Sequence, residues 1–442
     1  MSTSYAIGTR LLIELGVLAD DLTGGMMVAS LLEREGVECP LVSSVEGLAD
    51  LPSSATAVVV ARKIRLVDAD VAAEEAKQTV RALQKIGCAR FYYKYCATFD
   101  STEKGNIGPV AEAMLEASGA EHTLFCPAFP IHTVTVFQGR MYIGSTPLGE
   151  SFKRADPVTP MTNSNLVEVL QSQSTRKVGL LSHGLLMRGK EAVEEYLAKP
   201  DAPDLYIADS ADDDDLVRIV DFALDWPLTT GADALPVFLA RGWQRNNPNV
   251  LKSEPRTLLP ASPGKEAFIA GSCAGPTLRQ VDYFEQRHPV FRIDLLEAAE
   301  DPDYVSKVLQ WAEERIDNDP VAVASSANAD ELQRTQGALG RDGAAELADR
   351  ILGEVAVGLY EQGVRKFVVA GGETSGQVIN SLGIRRVVVS AFDELGGGYC
   401  HQGGADPISF VLKAGALGKE DFCLTALDRM RSADEGSTNA NG

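Results

Sequence analysis

Asp20 and Asp21 open the segment Ala19-Asp20-Asp21-Leu22-Thr23-Gly24-Gly25, which lies between an apolar run and a helical pattern. Two adjacent carboxylates at the end of a strand can accept a hydroxyl proton or hold a polyol. In an open parallel sheet, ligands bind outside the carboxyl ends of the strands. Gly24 and Gly25 let a ligand approach the backbone closely, and the helix start offers unpaired amides. A helix cap and turn would account for one Asp, but not for two followed by Thr-Gly-Gly. A second polar loop follows Lys94 and runs to Pro109 as KYCATFDSTEKGNIGP. Lys94 and Lys104 suit a carboxylate or phosphate, and Asp100, Ser101, Thr102 and Asn106 crowd the loop between strand and helix, where binding residues concentrate. Surface lysines beside a turn are the plainer reading of the same residues.

The second half of the chain holds three glycine turns after strands: Gly271-Ser272-Cys273-Ala274-Gly275-Pro276-Thr277, Gly371-Gly372-Glu373-Thr374-Ser375-Gly376 and Lys413-Ala414-Gly415-Ala416-Leu417-Gly418. Each has the make-up of a backbone-amide cradle for phosphate. None is a P-loop, since Gln377 follows Gly376 where that motif needs Lys. Glu373 could hold Mg²⁺, which proteins bind through one or two carboxylates together with phosphate oxygens. The run Asp212 to Asp215 reads as a solvated loop. The seven cysteines are sparse and never in C-x-x-C spacing, which fits reduced thiols in a cytoplasm and no disulfide framework. The five histidines show no paired metal-ligand spacing.

These residues need strands to hold them. Apolar runs at 11–18, 57–61, 91–95, 123–126, 177–181 and 205–208 read as strands, with helical patterns at 26–35, 71–86 and 108–117 between them. A Pro-, Asn- and Ser-rich stretch at 245–265 breaks the alternation and reads as a linker. Strands then resume at 267–270, 290–293, 321–324, 366–370, 387–389 and 409–412, with helices at 277–287, 303–316 and 344–361. The fold class is therefore α/β, with two domains, each a mainly parallel sheet flanked by helices. They span 1–244 and 266–431, and residues 432–442 read as a disordered tail.

The chain has 442 residues and a formal net charge of −21. That balance, with no basic stripe, excludes a nucleic-acid binder and disfavours adhesion to anionic lipid. No apolar run approaches the ~18 residues that span a bilayer, and residues 1–10 lack a secretory pattern. A dinucleotide-dependent dehydrogenase is disfavoured as well. No G-x-G-x-x-G opens the first unit, and Asp20-Asp21 would repel a pyrophosphate there.

In this order, the motifs ADDLTGG, KYCATFDSTEKGNIGPV, PAFPIHTVTVFQG, DPVTPMTNSNL, GSCAGPTLRQ, VAGGETSG and LKAGALG resemble the four-carbon acid sugar kinase family, most closely its 3-oxo-tetronate branch. The resemblance implies an N-terminal sugar-acid-binding domain, a C-terminal nucleotide-binding domain, and phosphoryl transfer from ATP with Mg²⁺ to a hydroxyl of a small sugar acid. It places Asp20, Asp21, Lys94, Asp100, Ser101, Thr102 and Asn106 at the acceptor. Asp20 or Asp21 would act on the hydroxyl, and Lys94 and Lys104 would offset the substrate charge. Ser272, Gly371, Gly372, Glu373, Thr374 and Gly415 fall at the ATP site, with Glu373 near the metal. A homodimer is compatible with the resemblance, and the oligomeric state is left open by the sequence. Departures from the family pattern are Met27 for an acidic residue, Val134 for an Arg, Asp156-Pro157 for His-Pro, and Gly396-Gly397-Gly398-Tyr399 and Ala414, Ala416 and Leu417 in the nucleotide loops. They suggest an altered acceptor, such as a branched 3-oxo-isoapionate. A non-catalytic ligand-binding or regulatory paralogue is the competing expectation.

Overall fold

The computed structural model describes residues 13–156, 158–246, 253–391 and 397–439. The chain divides into two compact units between Pro255 and Arg256, within the stretch read as a linker. In the first unit the strands are β1 (Leu15–Ala19), β2 (Leu41–Val42), β3 (Ala57–Ala61), β4 (Phe91–Lys94), β5 (Thr123–Cys126), β6 (Val134–Phe137), β7 (Arg140–Ile143), β8 (Thr146–Pro147), β9 (Val178–Leu181), β10 (Leu205–Ala208) and β11 (Leu228–Gly231). Eight of them form a sheet in the order β2-β3-β1-β4-β11-β5-β10-β9, and every described pairing in it is parallel. β1 (LGVLA) and β3 (AVVVA) are buried along their whole length, as strands covered on both faces must be. Each Val or Leu so buried contributes about 1.5–3 kcal/mol. β6, β7 and β8 form a small antiparallel sheet.

The second unit contains β12 (Lys265–Ala270), β13 (Val290–Arg292), β14 (Val321–Ala324), β15 (Val364–Ala370), β16 (Arg386–Val389), β17 (Gly398–Gln402) and β18 (Ile408–Lys413), in the order β13-β14-β12-β15-β18-β17-β16. β13, β14, β12, β15 and β18 run parallel, and β17 lies antiparallel to both neighbours. Its core gathers Phe268, Phe284, Val368, Val411, Phe422 and Leu427.

Strand order places the ligand-binding crevices. In the first unit β3 and β2 lie on one side of β1 and β4 on the other; in the second, β14 and β13 lie on one side of β12 and β15 on the other. At such a switch the helices leave the two central strands in opposite directions, and a crevice opens at their carboxyl ends. The switch points are therefore Asp20 with Lys94, and Gly271 with Gly371.

Several sequence expectations change. The first helix is Leu22–Arg34, starting ahead of residue 26 because the Asp21 side chain caps it by accepting from the Gly24 amide at 2.6 Å. Asp212 to Asp215 are not a solvated loop. Asp212 caps the helix Asp213–Ala223, and Asp215 is fully buried, accepting from Ala211 N and Arg218 and bonded to His183 Nδ1. β2, β11, β17 and the small sheet are additions to the strands that the sequence pattern predicts. Residues 432–439 belong to the helix Phe422–Asn439. Asp434 ties that helix down by accepting from Ser262 N and pairing with the buried Lys366. Residues 1–10, Pro157, Gly396 and 440–442 lie outside the described residues.

Candidate active site

At the first switch point, β1 delivers Asp20, β4 delivers Lys94 and β11 leads to Asp233, all with under a tenth of their surface exposed. Arg65, on the loop after β3, grips Asp20 with two bonds, Nε to Oδ2 and Nη2 to Oδ1, each 2.8 Å, and reaches Asp21 Oδ2 at 2.9 Å. The geometry is the bidentate fork that makes Arg the strongest carboxylate partner. Lys94 Nζ donates to the Tyr95 carbonyl at 2.8 Å and pairs with Asp233 Oδ1 at 3.4 Å. Three carboxylates and two cations thus share one crevice. Burial raises the Asp20 carboxyl above the ordinary carboxylate range, against the pull of Arg65. Burial likewise raises Asp233, against Lys94. For Lys94, burial opposes the charge, but Asp233, Asp20 and Asp21 outweigh it and hold the ammonium above the usual lysine range. The two aspartates are not equivalent. The Asp20 side chain is 3% exposed with both oxygens on Arg65, whereas the Asp21 side chain is 29% exposed, with one oxygen on Arg65 and the other on the Gly24 amide.

The loop after β4 is built partly from groups that serve the loop itself. Thr98 Oγ1 donates to Asp100 Oδ1 at 2.6 Å, and Asp100 pairs with the buried Lys153 at 2.8 Å. Lys153 also holds Asp156 at 2.7 Å, and Asp156 is pulled down to about 2 against burial, by the Lys153 ammonium and the amides of Thr159 and Val158. Ser101 Oγ donates to Gln173 Oε1 at 3.1 Å, and the Thr102 carbonyl accepts from Gln173 Nε2 at 2.6 Å. Lys104 is exposed. Asn106 is buried, and its amide donates to the carbonyls of Ile64 at 2.7 Å and Val67 at 3.0 Å. Its donors therefore go to the backbone on either side of Arg65, so Asn106 positions that loop and its amide nitrogen is not offered to an acceptor. Val134 is buried in β6, paired across to Ile143.

Arg65, Asp233 and Lys153 are site residues that the motif reading does not single out. Arg65 sits in Ala61-Arg62-Lys63-Ile64-Arg65, three cations in four residues after a strand beside β1, and that pattern is the signal that marks it. Asp233 follows Leu228-Thr229-Thr230-Gly231, too polar to read as a buried strand. β11 is nevertheless buried because the Thr230 hydroxyl donates to the Leu124 carbonyl at 2.9 Å.

At the second switch point the three glycine turns meet. Gly271 N and Ser272 N both donate to the Ala370 carbonyl, and Gly371 N to that of Lys413. A Cβ on Gly415 would stand 1.9 Å from Ser272 Oγ, and one on Gly271 2.0 Å from Thr374 Oγ1. Gly371 has φ +132°, a backbone open to glycine, and precedes the helix Gly372–Ser381. Glu373 is exposed in the first turn of that helix, and the Thr374 hydroxyl reaches Asp349 at 3.4 Å. Lys413 is fully buried; its ammonium donates to Thr277 Oγ1 at 3.1 Å and to the Gly415 carbonyl at 3.4 Å. Burial holds it down at about 8. Ser272, Gly371, Gly372, Thr374 and Gly415 are thus brought to one crevice, with Glu373 at its rim. The amides of Gly271, Ser272 and Gly371 are spent on strand carbonyls, so what the turns offer a phosphate is the start of the helix Gly372–Ser381, whose first amides have no intrahelical partner, with the hydroxyls of Ser272 and Thr374 beside it. Gly415→Ala should displace Ser272 and weaken MgATP binding at least about tenfold, roughly 1.4 kcal/mol, with acceptor binding unchanged. Isothermal calorimetry with each ligand checks this. Beside the crevice, at the ends of β13 and β14, lies a cleft of 480 Å³ lined in part by Ile293, Ser325, Ser326, Asn328 and Arg334.

A parallel-sheet unit with paired carboxylates at its switch point and a second with converging glycine turns define a two-domain α/β protein with a crevice in each unit. Residues 15–238 match a family described as a sugar-binding N-terminal domain, and residues 267–423 one described as a nucleotide-binding C-terminal domain. The 3-oxo-tetronate kinases of Pseudomonas fluorescens and Burkholderia multivorans are 38% and 37% identical to this chain, covering 94% of it and 97% of each of them. A solved structure from Salmonella typhimurium LT2 superposes with a TM-score of 0.81 at 30% identity, over 93% of this chain and 98% of that one. Haemophilus influenzae protein HI1011 does so with 0.75 at 30%, over 94% and 100%. The chain belongs to the four-carbon acid sugar kinase family, whose members are phosphotransferases acting on a hydroxyl group. Among the described residues, no helix is long and apolar enough to cross a membrane.

Proposed function

We propose that this protein transfers the γ-phosphoryl group of ATP to a hydroxyl of a small sugar acid of the 3-oxo-tetronate type, including branched analogues. The observation that carries the reading is the Asp20–Arg65–Asp21 arrangement at the β1/β4 switch point. Asp20 fixes the guanidinium, which holds the more exposed Asp21 toward the crevice. Asp21 then accepts the acceptor hydroxyl's proton or orients that hydroxyl. Lys94 is paired with Asp233 and Lys153 with Asp100 and Asp156, so the positive charge offered to an anionic substrate on the acceptor loop is the exposed Lys104. This local supply accommodates a sugar acid on a chain of net charge −21.

In the second unit the start of the helix Gly372–Ser381, set among the Gly271, Gly371 and Gly415 turns, holds the phosphates through its first amides, with Ser272 and Thr374 alongside. A Mg²⁺ ion fits the rim of this crevice, where Glu373 offers one carboxylate and the remaining ligands can be phosphate oxygens and water. When bound, the ion neutralises phosphate charge. The protein's own task in phosphoryl transfer is positioning and electrostatic support, with little covalent chemistry. A coupled assay of ADP release against tetronates, 3-oxo-tetronates and branched 3-oxo sugar acids should show turnover with one of these classes. If MgATP does not bind at millimolar concentration by calorimetry, the kinase reading fails.

A further inference from the structure

The glycine turns account for the phosphates of a nucleotide, but not for its ribose and base. The cleft of 480 Å³ at the carboxyl ends of β13 and β14 has no part in that cradle. We infer that this cleft receives the nucleoside half of the nucleotide, an inference that rests on the kinase reading above.

Two hydroxyls in the wall of the cleft call for a polar partner. Ser325 and Ser326 are 6% and 7% exposed, both line the cleft, and neither Oγ has a hydrogen-bond partner among the described residues. A buried hydroxyl left unpaired costs about 1–3 kcal/mol, so such groups are generally satisfied in the working state. The charges in the wall select the kind of ligand. Arg292 is consumed by Asp282 at 2.8 Å and Glu285 at 2.7 Å, and Asp282, Asp294 and Glu331 also line the space. Arg334 is the remaining cation among the lining residues, set against Asp294 and Glu331, so the wall suits a neutral group rich in hydroxyls and amines over a second phosphate. Leu278, Ile293 and Leu295 add apolar surface for a ring.

The position is right for a nucleotide. Ser325 N donates to the Ala270 carbonyl at 2.9 Å, so the cleft begins on the strand next to β12. From β15 to β14 is two strand spacings, about 10 Å, a distance that a triphosphate chain spans. The turns are also linked, since Ala327 N donates to Cys273 Sγ at 3.5 Å.

The test compares MgATP with magnesium tripolyphosphate, which carries the phosphates alone, by calorimetry on the full chain. Ser326→Leu, which fills the cleft, should weaken MgATP at least about tenfold and leave tripolyphosphate within about twofold. Arg334→Ala, on the exposed helix Ala329–Leu339, cannot upset the core and should weaken MgATP severalfold in the same selective way. Thermal melting confirms that both variants fold. Unchanged MgATP affinity in both folded variants overturns this assignment and leaves the kinase reading standing. An equal loss of both ligands also overturns it, because the cleft would then act through the phosphate turns. A wild-type chain that binds tripolyphosphate but not MgATP defeats both readings.

Discussion

Asp21→Asn should lower kcat by about 10²–10⁴-fold, the usual contribution of a group that takes or orients a proton in the transition state. The KM for ATP should stay within about twofold, because Asp21 belongs to the first unit and the nucleotide turns to the second. Asp20→Asn should behave differently. Asp20 is 3% exposed and spends both oxygens on Arg65, so its loss leaves a guanidinium partly unpaired in a mostly buried setting. Removing one partner of a buried pair costs about 3–5 kcal/mol, and the remaining bond to Asp21 keeps the cost near the lower end. The Asp20→Asn variant should therefore lose stability as well as turnover, with a melting point several degrees lower. The Asp21→Asn variant should melt near the wild type, because an Asn is nearly as good a helix cap as Asp. Steady-state kinetics together with thermal denaturation separate the two roles. Equal kinetic losses with equal melting points would remove the distinction between the residue that meets the acceptor and the residue that holds Arg65.

The difference between these aspartates was not legible in the sequence, although their shared place at a strand end was. Two carboxylates after an apolar run are enough to mark a strand end, and the parallel βαβ alternation is enough to say that strand ends bind ligands. The three glycine turns were legible for the same reason. What decides the chemistry is which cation meets which carboxylate, and that depends on strand order. Arg65 is 45 residues from Asp20 along the chain and reaches it only because β3 lies beside β1. Asp233 reaches Lys94 because β11 inserts between β4 and β5, a non-local pairing that a polar strand such as Leu228-Thr229-Thr230-Gly231 does not announce. Asn106 shows the same dependence on fold. Its place in a polar loop suggested a substrate contact, but the amide is spent on two carbonyls of the Arg65 loop. A residue type in a binding loop identifies the neighbourhood, while the destination of its hydrogen bonds identifies the job.

Lys413 allows a second test, in which stability and function should move in opposite directions. Its ammonium is fully buried and hydrogen-bonded to Thr277 and Gly415, with no carboxylate partner among the described residues. Burial brings it from 10.5 to about 8 in the folded chain. Below pH 8 the lysine is charged in both folded and unfolded states, and the penalty for burying that charge is fully present. Between pH 8 and the unfolded value, the unfolded chain binds more protons, so this group makes the unfolding free energy rise with pH. The rise is on the order of 3 kcal/mol across the window. Lys413→Met should therefore flatten that rise, and it should match or exceed the wild type in urea denaturation at pH 7. Nucleotide binding should suffer, because the charge sits directly under the Gly415 turn, where it attracts phosphate and braces the carbonyl side of the cradle. The KM for ATP should increase at least about tenfold in the Lys413→Met variant. Bound phosphate also favours the charged lysine, so MgATP binding to the wild type at about pH 8.5 should take up protons. Calorimetry in buffers of different ionisation enthalpy measures that uptake, and the Lys413→Met variant should show none from this group. A folded variant that binds MgATP as tightly as the wild type, with the same proton uptake, would leave Lys413 as a packing residue only. The predicted combination, greater stability with weaker nucleotide binding, is what a charge kept in a core for its ligand should produce.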